Sequence, residues 1–265
     1  MATRIDRALV ADTALRLLNE VGLEGLTLRR IAKELDVQAP ALYWHFKNKQ
    51  ELLDEVATEM FRRMAVPISQ AGGTTWQERM AAATRELRRS LLAYRDGAKV
   101  FSGSRFTDAS YATPLEELLR FCVDSGFTPR AAARAWFTVN TYTVGYVIEE
   151  QSVYPVPDGG RDPAYEPDGR ARRLAGHPLA TEAGREFFED LDAGYEDGLR
   201  AVIAGLEVTL LPGSGHHSPP ERHSSSGHHS SPEHHPAPEN GSPENGSPEN
   251  GSAPERHPAP GLDKG

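Results

Sequence analysis

The sequence predicts an all-α protein: an N-terminal three-helix helix-turn-helix unit, a larger helical core, and a C-terminal tail with no core of its own. Three observations carry this. Apolar residues recur at three- and four-residue intervals along most of the first 210 positions, and little there alternates as a strand would. Gly, Pro, Thr and Asn punctuate these runs where helices begin and end. From Pro212 to Gly265, 54 residues hold 11 of the 20 prolines, 8 of the 10 histidines and no aromatic side chain. That composition cannot bury enough apolar surface to fold, so a disordered tail is expected.

The elements follow in order. Leu9, Ala14, Leu17, Leu18 and Val21 mark a first helix, with Gly22 as its stop. Thr27 is a good N-cap for a short helix through Leu35, and Asp36–Val37 is a tight connection. Gln38 to Trp44 reads as a second short helix that tolerates Pro40 in its first turn. Leu52, Leu53, Val56, Met60 and Met64 mark a longer helix from about Lys49, which Pro67 is expected to close. Gly72–Gly73 is a loop, and Met80, Ala83, Leu87, Leu91 and Tyr94 mark another long helix. Short helical pieces follow near Ala98–Phe101 and from Pro114 to Ser125, before Gly126. Pro129 opens a helix to about Glu150. Residues 152–180 are rich in Pro, Gly, Asp and Arg and read as a long loop. Tyr195, Leu199, Val202, Ile203, Leu206 and Leu210 form one apolar stripe on a last helix over about 185–210.

Several function classes fall away. The longest nearly apolar run, Trp136–Ile148, is too short for a membrane span of roughly 20 residues. The N-terminus mixes charges through its apolar positions and does not read as a signal peptide, so a soluble cytoplasmic protein is expected. The single cysteine, Cys122, gives neither an internal disulfide nor a thiolate metal site. No phosphate-cradling Gly loop, HExxH or G-x-S-x-G motif is present, so no enzyme, cofactor or metal centre is expected. The chain carries a net charge of −9, yet residues 26–50 hold five basic and two acidic side chains. A locally basic face on an acidic protein is compatible with nucleic acid.

The informative stretch is Thr27–Lys49, TLRRIAKELDVQAPALYWHFKNK. A short helix, a tight turn and a second short helix after a longer one is helix-turn-helix order. A groove-reading helix needs small or polar residues at its start and basic or aromatic flanks that hold phosphates. Gln38, Ala39, Pro40 and Ala41 meet the first need; Tyr43, Trp44, His45 and Lys49 meet the second. Spacing alone also fits a surface hairpin whose Tyr43 and Trp44 are ordinary core.

LYWHFKNKQELLDEV and GLEGLTLRRIAKEL closely resemble the DNA-binding domain of the tetracycline repressor family. WQERM, LRRSLLAYRDGAKVFSGSR, LLRFCVDSGFTPR, YTVGYVIEEQ and YEDGLRAVIAGLEV resemble the family's regulatory core, so the likeness spans about residues 4–210 and leaves out the tail. The resemblance implies a DNA-binding domain over 1–48, a ligand-binding and dimerisation domain over 49–211, and a tail over 212–265. It implies that Arg29, Gln38, Ala39, Pro40 and Ala41 meet bases, while Thr27, Tyr43, Trp44, His45 and Lys49 hold the DNA backbone or fix the helix. Gln38 and Ala39 depart from the family's namesake, so a different operator is expected.

The same resemblance places a ligand pocket among Leu87, Phe101, Arg105, Phe106, Thr113, Trp136, Asn140 and Thr141, with Glu117 and Glu149 near. In the namesake a pocket His binds the magnesium of the drug complex, and Phe101 stands in its place. Ala65 and Ala83 stand where a second His and an Asn grip the drug. A larger, more apolar pocket without metal follows, suited to a planar, polyketide-like molecule. Residues 129–150 and 185–210 match the family's dimer-forming pair, where Gly145, Gly194, Gly198, Ala201 and Gly205 permit close approach. The implied protein is a homodimeric repressor that a small-molecule effector releases from a palindromic double-stranded DNA operator, with no membrane partner. The alternatives are a metal-responsive or metal-sequestering role for the tail's histidines, His216 to His235, and an activator of the same fold. The tail also carries PENGS three times, with Asn-Gly-Ser at Asn240, Asn245 and Asn250.

Overall fold

The computed structural model describes residues 5–211, so the expectations for the tail lie outside the described residues. Within them the chain is helical and has no strand. α1 (Arg7–Gly25) starts at Asp6, whose carboxylate accepts from the Leu9 amide at 2.8 Å. Gly22 breaks it with φ +68°, a conformation that costs other residues dearly. α2 (Leu28–Glu34) is capped by the Thr27 hydroxyl. Asp36, at φ +53°, turns the chain into α3 (Ala39–Tyr43). Leu42 and Phe46, both fully buried, pin this end of the unit to α1 and α4.

α4 (Lys49–Gln70) is capped by Asn48, and α5 (Trp76–Leu92) by a reciprocal Thr75–Glu78 box. α6 (Gly97–Ser102) and α7 (Ala112–Asp124) follow. The long α8 (Pro129–Val153) packs against α5, α6, α7 and α11. After it come α9 (Pro167–Arg173), α10 (Pro178–Glu189) and α11 (Leu191–Leu210). One buried cluster joins α1–α4 to Leu87, Leu91, Val100, Val144 and Val147. A second fills the space between α5, α7, α8 and α11 around Trp76, Cys122, Phe127 and Tyr195.

Four expectations are corrected. Pro67 does not close α4, which continues to Gln70. A proline in the last turn removes one backbone bond, and packing of Ile68 on the core carries the helix past it. Residues 152–180 are not one loop: they contain a 3-10 turn at Pro163–Tyr165, α9 and the start of α10. Pro163, Pro167 and Pro178, read as loop formers, occupy helix first turns, where proline costs nothing. The last helix is two helices, divided at Asp190, whose carboxylate caps α11. Finally, Gly194 and Gly198 serve packing within the chain. A Cβ on Gly194 would lie 2.6 Å from the Tyr146 hydroxyl, and one on Gly198 would collide with the Tyr142 hydroxyl. Gly145 and Gly205 face open space and Ala201 is exposed.

Candidate functional site

Two places concentrate features that packing does not require. The first is the α2–α3 face. Trp44 is 89% exposed and Tyr43 50%, so neither is core. A large aromatic left in water beside cations marks a contact surface. Arg29, Lys33 and Lys47 are exposed, and Arg29 shares a shallow cleft with Lys33, Gln38 and Ala39. Gln38 and Pro40 are also exposed, and Ala41 is half-buried. Gln38 opens α3 without a side-chain capping bond, which leaves its amide free to point outward. Thr27 and Lys49 have structural partners instead: Thr27 caps α2, and the Lys49 ammonium donates to the Leu23 carbonyl at 2.6 Å. His45 is held through its backbone, because Arg7 donates to its carbonyl at 2.6 Å while lying over the Phe46 ring.

The second place is a cavity of about 590 Å³ between α4, α6, α7 and α8. α8 supplies Trp136, Asn140, Val144 and Ile148, each one helical turn from the next. Phe61 and Ile68 of α4 form another wall. Phe106 sits at the centre of an aromatic cluster, 5.0 Å from Phe61, 5.6 Å from Phe101 and 5.5 Å from Tyr111, ring centre to ring centre. Of the residues expected here, Phe101, Phe106, Trp136, Asn140 and Thr141 line the cavity.

The others stand elsewhere. Leu87 and Ala83 are buried in the packed interior of α5, and Ala65 is half-buried on α4 without reaching the cavity. Neither alanine lines the cavity; its apolar walls come from α4, α6, α7, α8 and Phe106. Arg105, Thr113 and Glu117 are exposed outside it, and Glu149 lines a neighbouring groove on α8.

Residues 103–108 link the cavity to α4 as a strap. Ser102, Ser104 and Phe106 face the cavity, while the alternate residues grip α4. Gln50 donates to the Gly103 carbonyl at 3.1 Å, and the Arg105 amide donates to Asp54 at 3.0 Å. The Thr107 amide donates to the Thr58 hydroxyl at 2.8 Å, and Arg62 pairs with Asp108 at 2.7 Å. Positions 50, 54, 58 and 62 form one face of α4, so the helix holds the strap along three turns.

Sequence reasoning did not single out Glu55. Its carboxylate, 5% exposed, accepts from Arg7 at 2.8 Å, from the Thr107 hydroxyl at 3.2 Å and from Arg62 at 3.4 Å. It thereby joins the strap to the residue that holds His45. The available signal was a carboxylate lying between Leu52, Val56 and Met60 on the apolar stripe of α4. A second tie runs through Asp96, which accepts from the Leu23 amide at 3.0 Å and from Lys99 at 3.0 Å. Partial burial acts to raise the Asp96 carboxyl, but these two bonds hold it below the ordinary aspartate range.

Residues 10–56 match the family described as bacterial regulatory proteins, tetR family, and residues 68–210 match the tetracyclin repressor-like C-terminal domain. The chain belongs to the tetR family. It is 38% identical over 210 residues to the tetracycline repressor protein class A from transposon 1721 of Escherichia coli, covering 79% of this chain and 94% of that protein. Among solved structures it resembles a possible TetR family transcriptional regulator from Streptomyces coelicolor A3(2), at 37% identity and a TM-score of 0.67, over 77% of this chain and 99% of that one. It also resembles TetR (class A) in complex with 5a,6-anhydrotetracycline and magnesium, at 34% identity and a TM-score of 0.53, over 74% and 95% of the two chains. Within the tetR family, the α2–α3 unit falls in the regulatory-protein match, and the cavity lining except Phe61 falls in the repressor-like C-terminal match. No helix of the described residues is long and apolar enough to cross a membrane.

Proposed function

We propose that the chain is a homodimeric repressor whose 1–48 domain holds a palindromic operator and whose 49–211 domain binds a small-molecule effector that releases it. Arg29, Gln38, Ala39, Pro40 and Ala41 meet base edges, and Tyr43, Trp44 and His45 meet the phosphate backbone. Thr27 and Lys49 act by fixing α2 and α4 around that helix. Arg29 on a guanine contributes about 1–3 kcal/mol of discrimination. Two recognition helices must sit about 34 Å apart to read one face of the duplex. Gly145, Ala201 and Gly205, open along α8 and α11, suit close approach of a second copy.

The strap is the observation that carries the effector reading. One edge faces the cavity and the other holds α4, on which the recognition unit rests. A molecule that displaces Phe106 or Ser104 disturbs the bonds from Gly103, Arg105 and Thr107 to α4. A ligand shifts the equilibrium only by its difference in affinity for the two states, about 5.5 kcal/mol for a switch from 99:1 to 1:99.

Fluorescence anisotropy on DNA from upstream of the protein's own gene, at fixed salt, tests this reading. Saturable binding to one palindromic segment, resistant to excess random DNA, is expected. Binding no tighter than to random sequence across that region refutes it.

A further inference from the structure

We infer that the cavity under the strap takes an uncharged, flat, metal-free molecule, held at its polar groups by the Asn140 carboxamide and the Ser104 hydroxyl. This rests on the effector reading above and names the chemistry of the effector. The cavity volume of about 590 Å³ suits a ligand of three or four fused rings. No Asp, Glu, Lys, Arg, His or Cys lines it. A buried ion would find no counter-charge there, and removing it from water would go uncompensated.

A magnesium ion fares no better. The family includes a repressor that holds 5a,6-anhydrotetracycline with magnesium. A hard cation takes oxygen partners, and protein sites for it are anchored by carboxylates; this cavity offers neutral amide and hydroxyl oxygens and no carboxylate. Among the described residues no group of three His, Cys, Asp or Glu side chains could hold a metal. The donor set therefore does not fit the metal-bound drug.

What the cavity does offer is a cluster of ring faces around Phe106 and two unsatisfied polar groups. The Ser104 hydroxyl is buried with no hydrogen-bond partner. Asn140 is half-buried in the same wall, and its carboxamide makes no hydrogen bond among the described residues. Buried polar groups are nearly always paired, so the unpaired Ser104 hydroxyl, in the same cavity wall as the free Asn140 carboxamide, points to a partner that arrives from outside. Ser104 belongs to the strap, so the group that bonds it acts directly on the element that grips α4.

Nile red, a neutral, flat, fused-ring dye with one carbonyl, is the probe. It is titrated into the full chain, with emission as the readout, in EDTA and in millimolar magnesium. One site per chain with blue-shifted emission is expected, with the same affinity in both buffers. Ser104→Ala and Asn140→Ala should each weaken binding about five- to tenfold, the loss of one hydrogen bond. Val144→Trp should fill the cavity and abolish binding while circular dichroism stays helical. Anilinonaphthalene sulfonate, of similar size but anionic, and magnesium–anhydrotetracycline should both bind more weakly than Nile red. A requirement for magnesium, tighter binding of either charged probe, or Nile red affinity untouched by all three substitutions overturns the inference. Operator anisotropy on the same samples separates the two readings: DNA binding retained without neutral-probe binding refutes this ligand class alone.

Discussion

Replacing Glu55 by alanine tests the link between the strap and the recognition unit. The carboxylate receives a 2.8 Å bond from Arg7, a 3.2 Å bond from Thr107 and longer 3.4 Å contacts from Arg62. Hydrogen bonds to a charged group are worth about 1.5–3 kcal/mol each, but they do not add here. The Arg7 and Arg62 side chains are 41% and 34% exposed, so water replaces much of what they lose. Thr107 keeps the Thr58 hydroxyl at 3.2 Å. Alanine returns about 0.3 kcal/mol through helix propensity. The net loss is about 2 kcal/mol, or a fall in Tm of roughly 4–8 °C for a chain of this size. Urea denaturation of Glu55→Ala, Arg7→Ala and the double variant measures it, with a coupling of about 1–2 kcal/mol expected between the two sites. Operator affinity should also fall under conditions where the variants remain folded, because Arg7 loses the partner that aims it at the His45 carbonyl. A stability change within about 0.5 kcal/mol, with strictly additive effects, refutes the reasoning.

Trp44→Ala should leave stability within about 0.5 kcal/mol, since the ring is in water, while operator binding weakens at least several-fold; equal loss in both assays would make Trp44 structural. Gly198→Ala should cost about 1–3 kcal/mol by urea denaturation, because its Cβ collides with the Tyr142 hydroxyl that bonds the Tyr195 carbonyl at 2.9 Å. Asp96 has a folded-state value below its ordinary 3.8, so its contribution is complete above that pH and disappears as pH falls through the lower value. Asp96→Asn should therefore flatten the acid side of the stability curve and leave the slope above pH 5 unchanged; an unaltered acid limb in that variant would refute the assignment.

The helices from Asp6 to Leu92 were legible because each announces itself locally. The apolar stripes follow the helical period and Thr27 reads as a cap; Asp6, Asn48 and Thr75, not singled out in the sequence, cap in the same way by bonding the amide three residues on. The region from Gln151 to Asp190 was not. There proline and glycine density suggested a loop, while the prolines in fact begin helices. Gln38, Tyr43 and Trp44 could be singled out because the groove-facing requirement constrains a short contiguous stretch, whereas Arg29 is named through the family resemblance. The resemblance reached only five cavity residues, Phe101, Phe106, Trp136, Asn140 and Thr141; the rest of the wall joins helices far apart in the chain, which no local pattern marks.

Sequence by itself determined the helical class, the helix-turn-helix order and the family. All of these depend on residue identity and on spacing within one or two turns. Tertiary structure alone decided that Trp44 stands in water, that Gly198 makes room for Tyr142, and that Glu55 is buried between Arg7 and Thr107. It also decided that Ser104 and Asn140 share an uncharged cavity. Trp44 apart, each of these brings together residues 36 to 56 positions apart, where packing and desolvation set the outcome and local propensity has no influence.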